Sequence, residues 1–478
     1  MKALIPITFL LLSFLTSVGQ DLDITPKVMI RSDSEYKIIG KINETIMMVV
    51  EENGFYKIHA FNEDMTNKWE RSLKMERKTV KVNGFISRKN DFSVFYSYRY
   101  KGKNYIKQRR LDEKLNIVDS TTLKIFSKRS LSPTVHFETS SNNKKALMYS
   151  VENSNEFELT VVDNDSMRIE LEVKFKAEDF SYQQDFLQTV VDNDGGVYFI
   201  FEKDNRKSKI EDNIFKVFYF NPGSDDIRFF NISMANHLWY DVYFDFDNMS
   251  KKLVVGGFYS DETILEAQGI FFMAVSPNES DQITSNFEAF SKEYLGLLLG
   301  KKLRKNIGFN EVSVQQIVPR HDGGILMIAE RYKEESRDNR MASDPYQQKR
   351  RDYSRAEQID YFYNEILLYS FHPDGELHWT EILHKKQYSQ DDDGVFSSFF
   401  LFLNKSQIRF LYNDTVKRSD TVYEYIVSGN GEAERNSLFN TKADNLMLRM
   451  PDAVQISSNT IIVPSERRSS VKLVKMTF

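Results

Sequence analysis

Chemistry in this chain has to be sought among seven histidines and a few acidic turns, because the sequence holds no cysteine. That absence removes the thiolate nucleophile, the thiolate zinc site and the disulfide together. Three histidines crowd into HPDGELHWTEILH as His372, His378 and His384. On a strand starting at Leu377, His378 and His384 share one side but stand about 20 Å apart, too far for one metal ion. His59, His136, His237 and His321 are scattered and read as surface residues. Hard cations are better served by Asp192-Asn193-Asp194-Gly195 and Asp391-Asp392-Asp393-Gly394, which make Asp192, Asp194, Asp391 and Asp393 the candidate calcium ligands. Neither turn is followed by the bidentate Glu of a twelve-residue calcium loop, and turns favour Asp and Asn on conformational grounds alone. A Gly-x-Ser-x-Gly elbow and a Gly-x-x-x-x-Gly-Lys-Ser/Thr loop are both absent. No catalytic residue and no cofactor is therefore assigned. Glycoside chemistry needs only two carboxylates at a set separation, so a sequence with 69 acidic residues leaves a polysaccharide hydrolase or lyase open.

Charge narrows the partners. The 64 basic and 69 acidic residues give a formal net charge of −5 with no basic domain, so nucleic acid is not an expected ligand. Two basic clusters occur, QKRR at 348–351 and SERRSS at 465–470; each reads as a solvated turn that needs no anion to explain it. Tyr96, Tyr98 and Tyr100 fall on one face of a strand by two-residue alternation, and Tyr105, Tyr361 and Tyr363 lie near strand ends. Such rings suit stacking on sugars or peptides, and equally suit packing between sheets.

The elements that must position these residues are almost all strands. Phe and Tyr number 37 and 24, a composition fitted to pleated, half-buried surfaces. One local pattern recurs past residue 34: a short aromatic or β-branched run, a turn of Asn, Asp or Gly, then another run. Thr45 to Val50 and Tyr56 to Phe61, for example, flank Asn53-Gly54, a hairpin signal because both residues tolerate positive φ. Blocks of this kind cover 35–76, 79–126, 133–178, 185–234, 237–283, 313–385, 396–437 and 450–478. Their period of about 45–55 residues, with four short strands in each, predicts an all-β β-propeller of seven or eight four-stranded blades, eight by repeat count. The last block holds only about three strand signals. Residues 24–32 are then the natural fourth strand, closing the ring by pairing of N- and C-terminal strands and hiding the edges that invite aggregation.

Two stretches share a Phe, an Asp three residues on, a Trp eight on and a Leu twelve on: FNEDMTNKWERSL at 61–73 and FHPDGELHWTEIL at 371–383. Phe61 and Phe371 end a strand, Asp64 and Asp374 enter a turn, and Trp69 and Trp379 start the outer strand. VDNDGGVYFIF and PRHDGGILMIA likewise share an Asp-Gly-Gly turn before an apolar strand. In Asp374, Gly375 and Trp379 the chain resembles bacterial β-propeller repeats of the pyrroloquinoline-quinone-dehydrogenase-like superfamily, whose blades carry an Asp-x-x-Gly-x-x-x-Trp type motif. Met65 replaces the glycine in the first copy. The resemblance covers two of the blocks and implies the fold; a quinone-dependent dehydrogenase is the activity it would suggest.

The N-terminus reads as a leader. Met1-Lys2 is followed by the apolar run Ala3 to Leu15 and by Ser17-Val18-Gly19, the pattern of a secretory signal peptide cleaved after residue 19, leaving a single propeller domain at 20–478. The run is too short to span a bilayer, at about 20 Å of helix against about 30 Å of hydrocarbon. Without cysteine there is no acceptor for lipid attachment, so the expected destination is periplasmic or extracellular and the protein is not a lipoprotein. Two segments break the repeat. Residues 285–305 read as a rim helix, with a capping box of Ser285 and Glu288 and an end at Gly300. Residues 333–360 read as a charged loop insertion, with Lys349, Arg350, Arg351 and Tyr353 as candidate partner contacts. Taken together these features predict a non-catalytic, exported, envelope-associated binding or scaffold protein for a protein partner, with the polysaccharide enzyme as the alternative.

Overall fold

A computed structural model describes residues 22–31, 33–126, 134–202, 213–224, 227–261, 263–302, 308–337, 358–414, 416 and 421–478. Eight antiparallel sheets follow one another along the chain: seven are four-stranded meanders, the sixth of them with a fifth strand added, and the eighth joins a three-stranded meander to two short N-terminal strands. The blades are 35–72, 81–126, 136–176, 186–233, 238–289, 312–383, 400–440 and 454–477. These bounds follow the eight sequence blocks closely, because each hairpin is set by its own turn residues. The chain is a β-propeller.

Every blade begins at the axis. The first strands touch one another from blade to blade: Glu35–Ile42 meets Lys81–Ser87, and Leu238–Asp247 meets both Phe186–Val191 and Val312–Pro319. An innermost strand has an unpaired edge, and side chains of neighbouring blades satisfy part of it. The Gln188 amide donates to the Phe244 carbonyl at 2.7 Å and accepts from the Phe244 N–H at 2.9 Å. Gln455 reaches the Leu403 carbonyl at 2.7 Å, and the Asp241 carboxylate accepts from the Val314 N–H at 2.6 Å. Bulges interrupt six of the eight innermost strands, adding twist and turning extra side chains toward the axis.

The core lies between blades. Alternation sends Met47, Val49 and Ile58 of the first blade against Phe92, Val94 and Tyr96 of the second. Between the third and fourth blades the filling is aromatic, Phe157 and Phe175 meeting Phe199 edge-on at 5.4 Å. Closure uses the N-terminus, as the short last block requires. Leu22–Ile24 and Val28–Met29 both pair with Ser470–Thr477, in register Leu22 to Met476 and Val28 to Val471. This fourth strand starts earlier than residue 24 and is broken around Pro26, whose missing N–H cannot join a ladder.

Two boundaries differ from those read in the sequence. The helix is Lys292–Leu299 rather than 285–305. Residues 285–289 finish the outer strand of the fifth blade, Ser285 facing Met273 and Phe287 facing Phe271. Sheet pairing there overrides the helical spacing. The N-cap is Ser291, whose hydroxyl accepts from the Tyr294 N–H, while Gly300 ends the helix at φ 63° as expected. The charged insertion is also shorter than 333–360. Ile325–Ser336 and Ile359–Phe371 form an extended hairpin, with Lys333 opposite Phe362 and Ser336 opposite Ile359, and Gln387–Gln390 adds a strand alongside. Lys349, Arg350, Arg351 and Tyr353 lie outside the described residues.

Candidate functional site

The meander gives the disc two different faces. Turns between first and second strands and between third and fourth lie on one face, here the turn face. Loops between second and third strands, and the crossings from blade to blade, lie on the other, the connector face. Hydrogen bonds join the turns of successive blades: the Asn193 side chain accepts from the Ser141 hydroxyl at 3.0 Å and the Asn142 N–H at 3.1 Å, and the Asn193 N–H donates to Asn248 at 2.8 Å. Irregular elements collect on the connector face. The helix, the long hairpin of the sixth blade, the turn 391–394 and the basic turn 467–470 all belong to it. So do the exposed side chains of Phe55, Tyr100, Leu265, Leu297 and Tyr388.

A cavity of about 500 Å³ opens on that face beside the axis, wrapped around the first strand of the first blade. Alternation places Tyr36 and Ile38 toward the eighth blade, where Arg449, Pro451, Asp452 and Pro464 complete the wall, and Glu35 and Lys37 toward Asn83 and Phe85 of the second. Tyr36 donates to Glu466 at 2.9 Å. Arg449 is held between Glu466 at 2.6 Å and Asp452 at 2.5 Å, so its charge is already balanced. Across the strand, Tyr56 accepts from the Val82 N–H at 3.1 Å and donates to the Val80 carbonyl at 3.3 Å. Burial pushes the Tyr36 hydroxyl well up and the Tyr56 hydroxyl to about 12. Both stay protonated at neutral pH and serve as hydrogen-bonding groups rather than as bases. Glu35 and Glu51 face each other directly across the first two strands. Asn83 sits at a bulge, and its amide nitrogen is buried without a partner.

A second group of ionisable residues lies on two innermost strands, His136–Thr139 and Leu238–Asp247. Burial raises the Asp241 and Glu138 carboxyls and pushes Asp245 up to about 6, where the nearby Asp247 adds to the effect. Burial also raises the Tyr243 hydroxyl, and Asp245 and Glu138 push it further, which puts the three in one electrostatic neighbourhood.

The candidate calcium ligands are engaged within the protein. Asp192 accepts from the backbone of Asp194 and Gly196, each at 2.8 Å, and from the Tyr198 hydroxyl at 3.2 Å. Asp194 pairs with Lys251 at 2.5 Å. Asp391 caps the Ile359 N–H at 2.9 Å, and Asp393 accepts from the Tyr361 hydroxyl at 3.1 Å, fastening the outer part of the long hairpin's ladder. Among the described residues no three of His, Asp and Glu gather around one point. His372 and His378 do come together, rings 4.3 Å apart, with Arg320 against His378 at 3.2 Å. The repeated motif takes one form twice. Phe61 and Phe371 are buried, Asp64 and Asp374 accept from the N–H two residues on at 3.0 Å, and Met65 at φ 62° stands where Gly375 has φ 91°. Trp69 packs between the first and second blades and Trp379 between the sixth and seventh. The cavity escaped the sequence reading because Tyr36 and Glu466 are 430 positions apart. Its one local signal is the row of alternating aromatic and charged residues in EYK at 35–37.

No family model matches the chain, and no curated protein matches it. Solved structures match its fold distantly. An uncharacterized protein from Listeria monocytogenes shares 11% identity over 80% of this chain and 88% of its own, with a TM-score of 0.40. The β-propeller domain of the trilobed protease from Pyrococcus furiosus shares 10% over 84% of this chain and 96% of its own, TM-score 0.37. A europium-containing methanol dehydrogenase shares 9% over 95% of this chain and 93% of its own, TM-score 0.39. At these values the protease and dehydrogenase activities in those names say nothing of this chain, and the quinone-dehydrogenase-like resemblance stands on its two motifs.

Among the described residues no helix is long and apolar enough to cross a membrane.

Proposed function

We propose that the protein is an exported, envelope-associated binding or scaffold protein that docks a protein partner on its connector face. The observation carrying this reading is the asymmetry of the two faces. The connector face carries the helix, the long hairpin and the longer loops, with Phe55, Tyr100, Leu265, Leu297 and Tyr388 exposed on them, whereas the opposite face is made of short turns, where Ile227 and Met249 are exposed and Ile117, Val118, Ile169 and Phe229 lie at the starts of outer strands. Aromatic and aliphatic side chains on a polar surround are the usual anchors of a protein interface. The cavity beside Tyr36 adds a recess for one partner side chain. The apolar N-terminal run supports export, and the periplasm or the cell exterior as the place of work. The test is capture of tagged residues 20–478 from envelope extract, run beside Phe55→Glu, Leu297→Glu and Met249→Glu. A stoichiometric partner that survives M249E and is lost with F55E or L297E supports the proposal; loss with M249E alone moves the interface to the other face.

A second reading draws on Asp245, Glu138 and Tyr243. Asp245, half-buried, and Glu138, an exposed residue, both stand on innermost strands with their carboxyls raised, as general acid chemistry on a polysaccharide would use. Turnover of a glycan panel that disappears in both Asp245→Asn and Glu138→Gln would favour it over docking.

A further inference from the structure

The basic turn at 467–470 was explained by the sequence as solvated surface, and the fold changes that account. Arg467, Arg468 and Lys472 are brought together with Lys27 of the closing strand around a cleft of about 400 Å³, whose lining includes Ser469 and Ser470 and no carboxylate. Alternation along the strand Thr460–Arg467 sends Glu466 the other way, to Arg449. The remaining acids of this blade are consumed similarly: Asp452 by Arg449 at 2.5 Å and Asp23 by Lys475 at 2.6 Å. Asp444, beside the cleft, offers Lys472 its carbonyl oxygen at 3.2 Å. Four cations therefore share one recess without an ion-pair partner among the described residues, in a chain whose net charge is −5. A recess lined by cations of one sign, with no carboxylate in its lining, favours an anion there.

We propose that this cleft binds a phosphate group. Two guanidinium forks with hydroxyl and ammonium donors around them match the several oxygens of a phosphate better than a single-atom anion. The turn is held in place for the task, since the Ser469 carbonyl accepts from the Ile30 N–H at 3.0 Å and the Ser470 hydroxyl donates to the Arg467 carbonyl at 3.1 Å. Met29, 70% exposed at the rim, gives the site an apolar border. A free phosphorylated molecule and a phospholipid headgroup present the same chemistry. The site is independent of whether a protein docks elsewhere on the face.

The test titrates the mature chain at low salt with inorganic phosphate by NMR, and in parallel with phosphatidylcholine vesicles containing phosphatidylglycerol by co-sedimentation. The key variant is R467S/R468N: both positions are exposed, and Asn suits the φ of 55° at residue 468. Saturable binding that weakens at least tenfold in this variant, and falls with added salt, is the expected result. Binding of phosphate alone assigns a soluble ligand. Vesicle binding without phosphate binding, reduced further by Met29→Glu, assigns a headgroup. Absence of binding to both probes, or binding that R467S/R468N leaves unchanged, overturns the proposal.

Discussion

Asp245 shows what a single carboxyl costs when a strand is placed at the axis. Burial pushes it up to about 6 from an ordinary 3.8, with Asp247 adding to the shift and the Phe246 N–H opposing it. Since the folded value lies above the unfolded one, the native state binds the extra proton between about 4 and 6, and stability falls as pH rises through that window. Asp245→Asn should leave stability at pH 4 nearly unchanged and raise it at pH 8 by roughly 1–3 kcal/mol; urea unfolding at the two pH values measures the difference. The fully buried pair of Lys385 and Glu330, 2.5 Å apart, behaves in the opposite sense. Lys385→Met leaves the buried Glu330 without its cationic partner, with the Ser398 hydroxyl still donating to it at 2.6 Å, and should cost about 3–5 kcal/mol, whereas the double change with Glu330→Met should cost less. A double-mutant cycle reads the coupling. Neither position announced itself in the sequence. One Asp among many, or one Lys in HKKQ, acquires its environment only from neighbouring blades.

At the scale of elements the sequence was far more legible, because a hairpin is decided by adjacent residues. The turns at 62–66 and 372–376 close with the same two backbone bonds, from the first N–H to the fifth carbonyl and from the fourth N–H to the first carbonyl. Asp64 and Asp374 stabilise them locally, which is why the recurrence is visible without a structure. The turn 428–432 has the same pattern and a further duty: a Cβ on Gly431, at φ 90°, would stand 2.6 Å from the Trp379 ring. Gly431→Ala should therefore destabilise by roughly 2–3 kcal/mol through strain and displacement of the indole, with a shift in Trp379 emission as the second readout. Where the sequence misled, at 285–289, a pattern of apolar residues served two periods at once. Ladder bonds to Gly269–Ser276 chose the strand, and no local signal records that partner.

For the whole molecule the decisive event is closure, since it both completes the eighth blade and seals the seam between the eighth and first blades beside the cavity of Tyr36 and Arg449. Val28 and Ile30, 7% and 6% exposed, fill the seam between the eighth and first blades. Burial of each contributes roughly 1.5–3 kcal/mol, and the Leu473 N–H adds a bond to the Thr25 hydroxyl at 2.9 Å. A chain beginning at residue 34 should accordingly lose at least about 3–6 kcal/mol and bare the edge of Ser470–Thr477. A bare edge recruits other chains, so this truncation should also associate in a concentration-dependent way by light scattering. Instability and edge exposure are separable by adding a synthetic peptide of residues 22–33. If the edge is the cause, the peptide restores both the unfolding midpoint and the monomer by re-forming the missing strand. A peptide without effect would mean that the N-terminal segment matters for folding order rather than for closing the native ring.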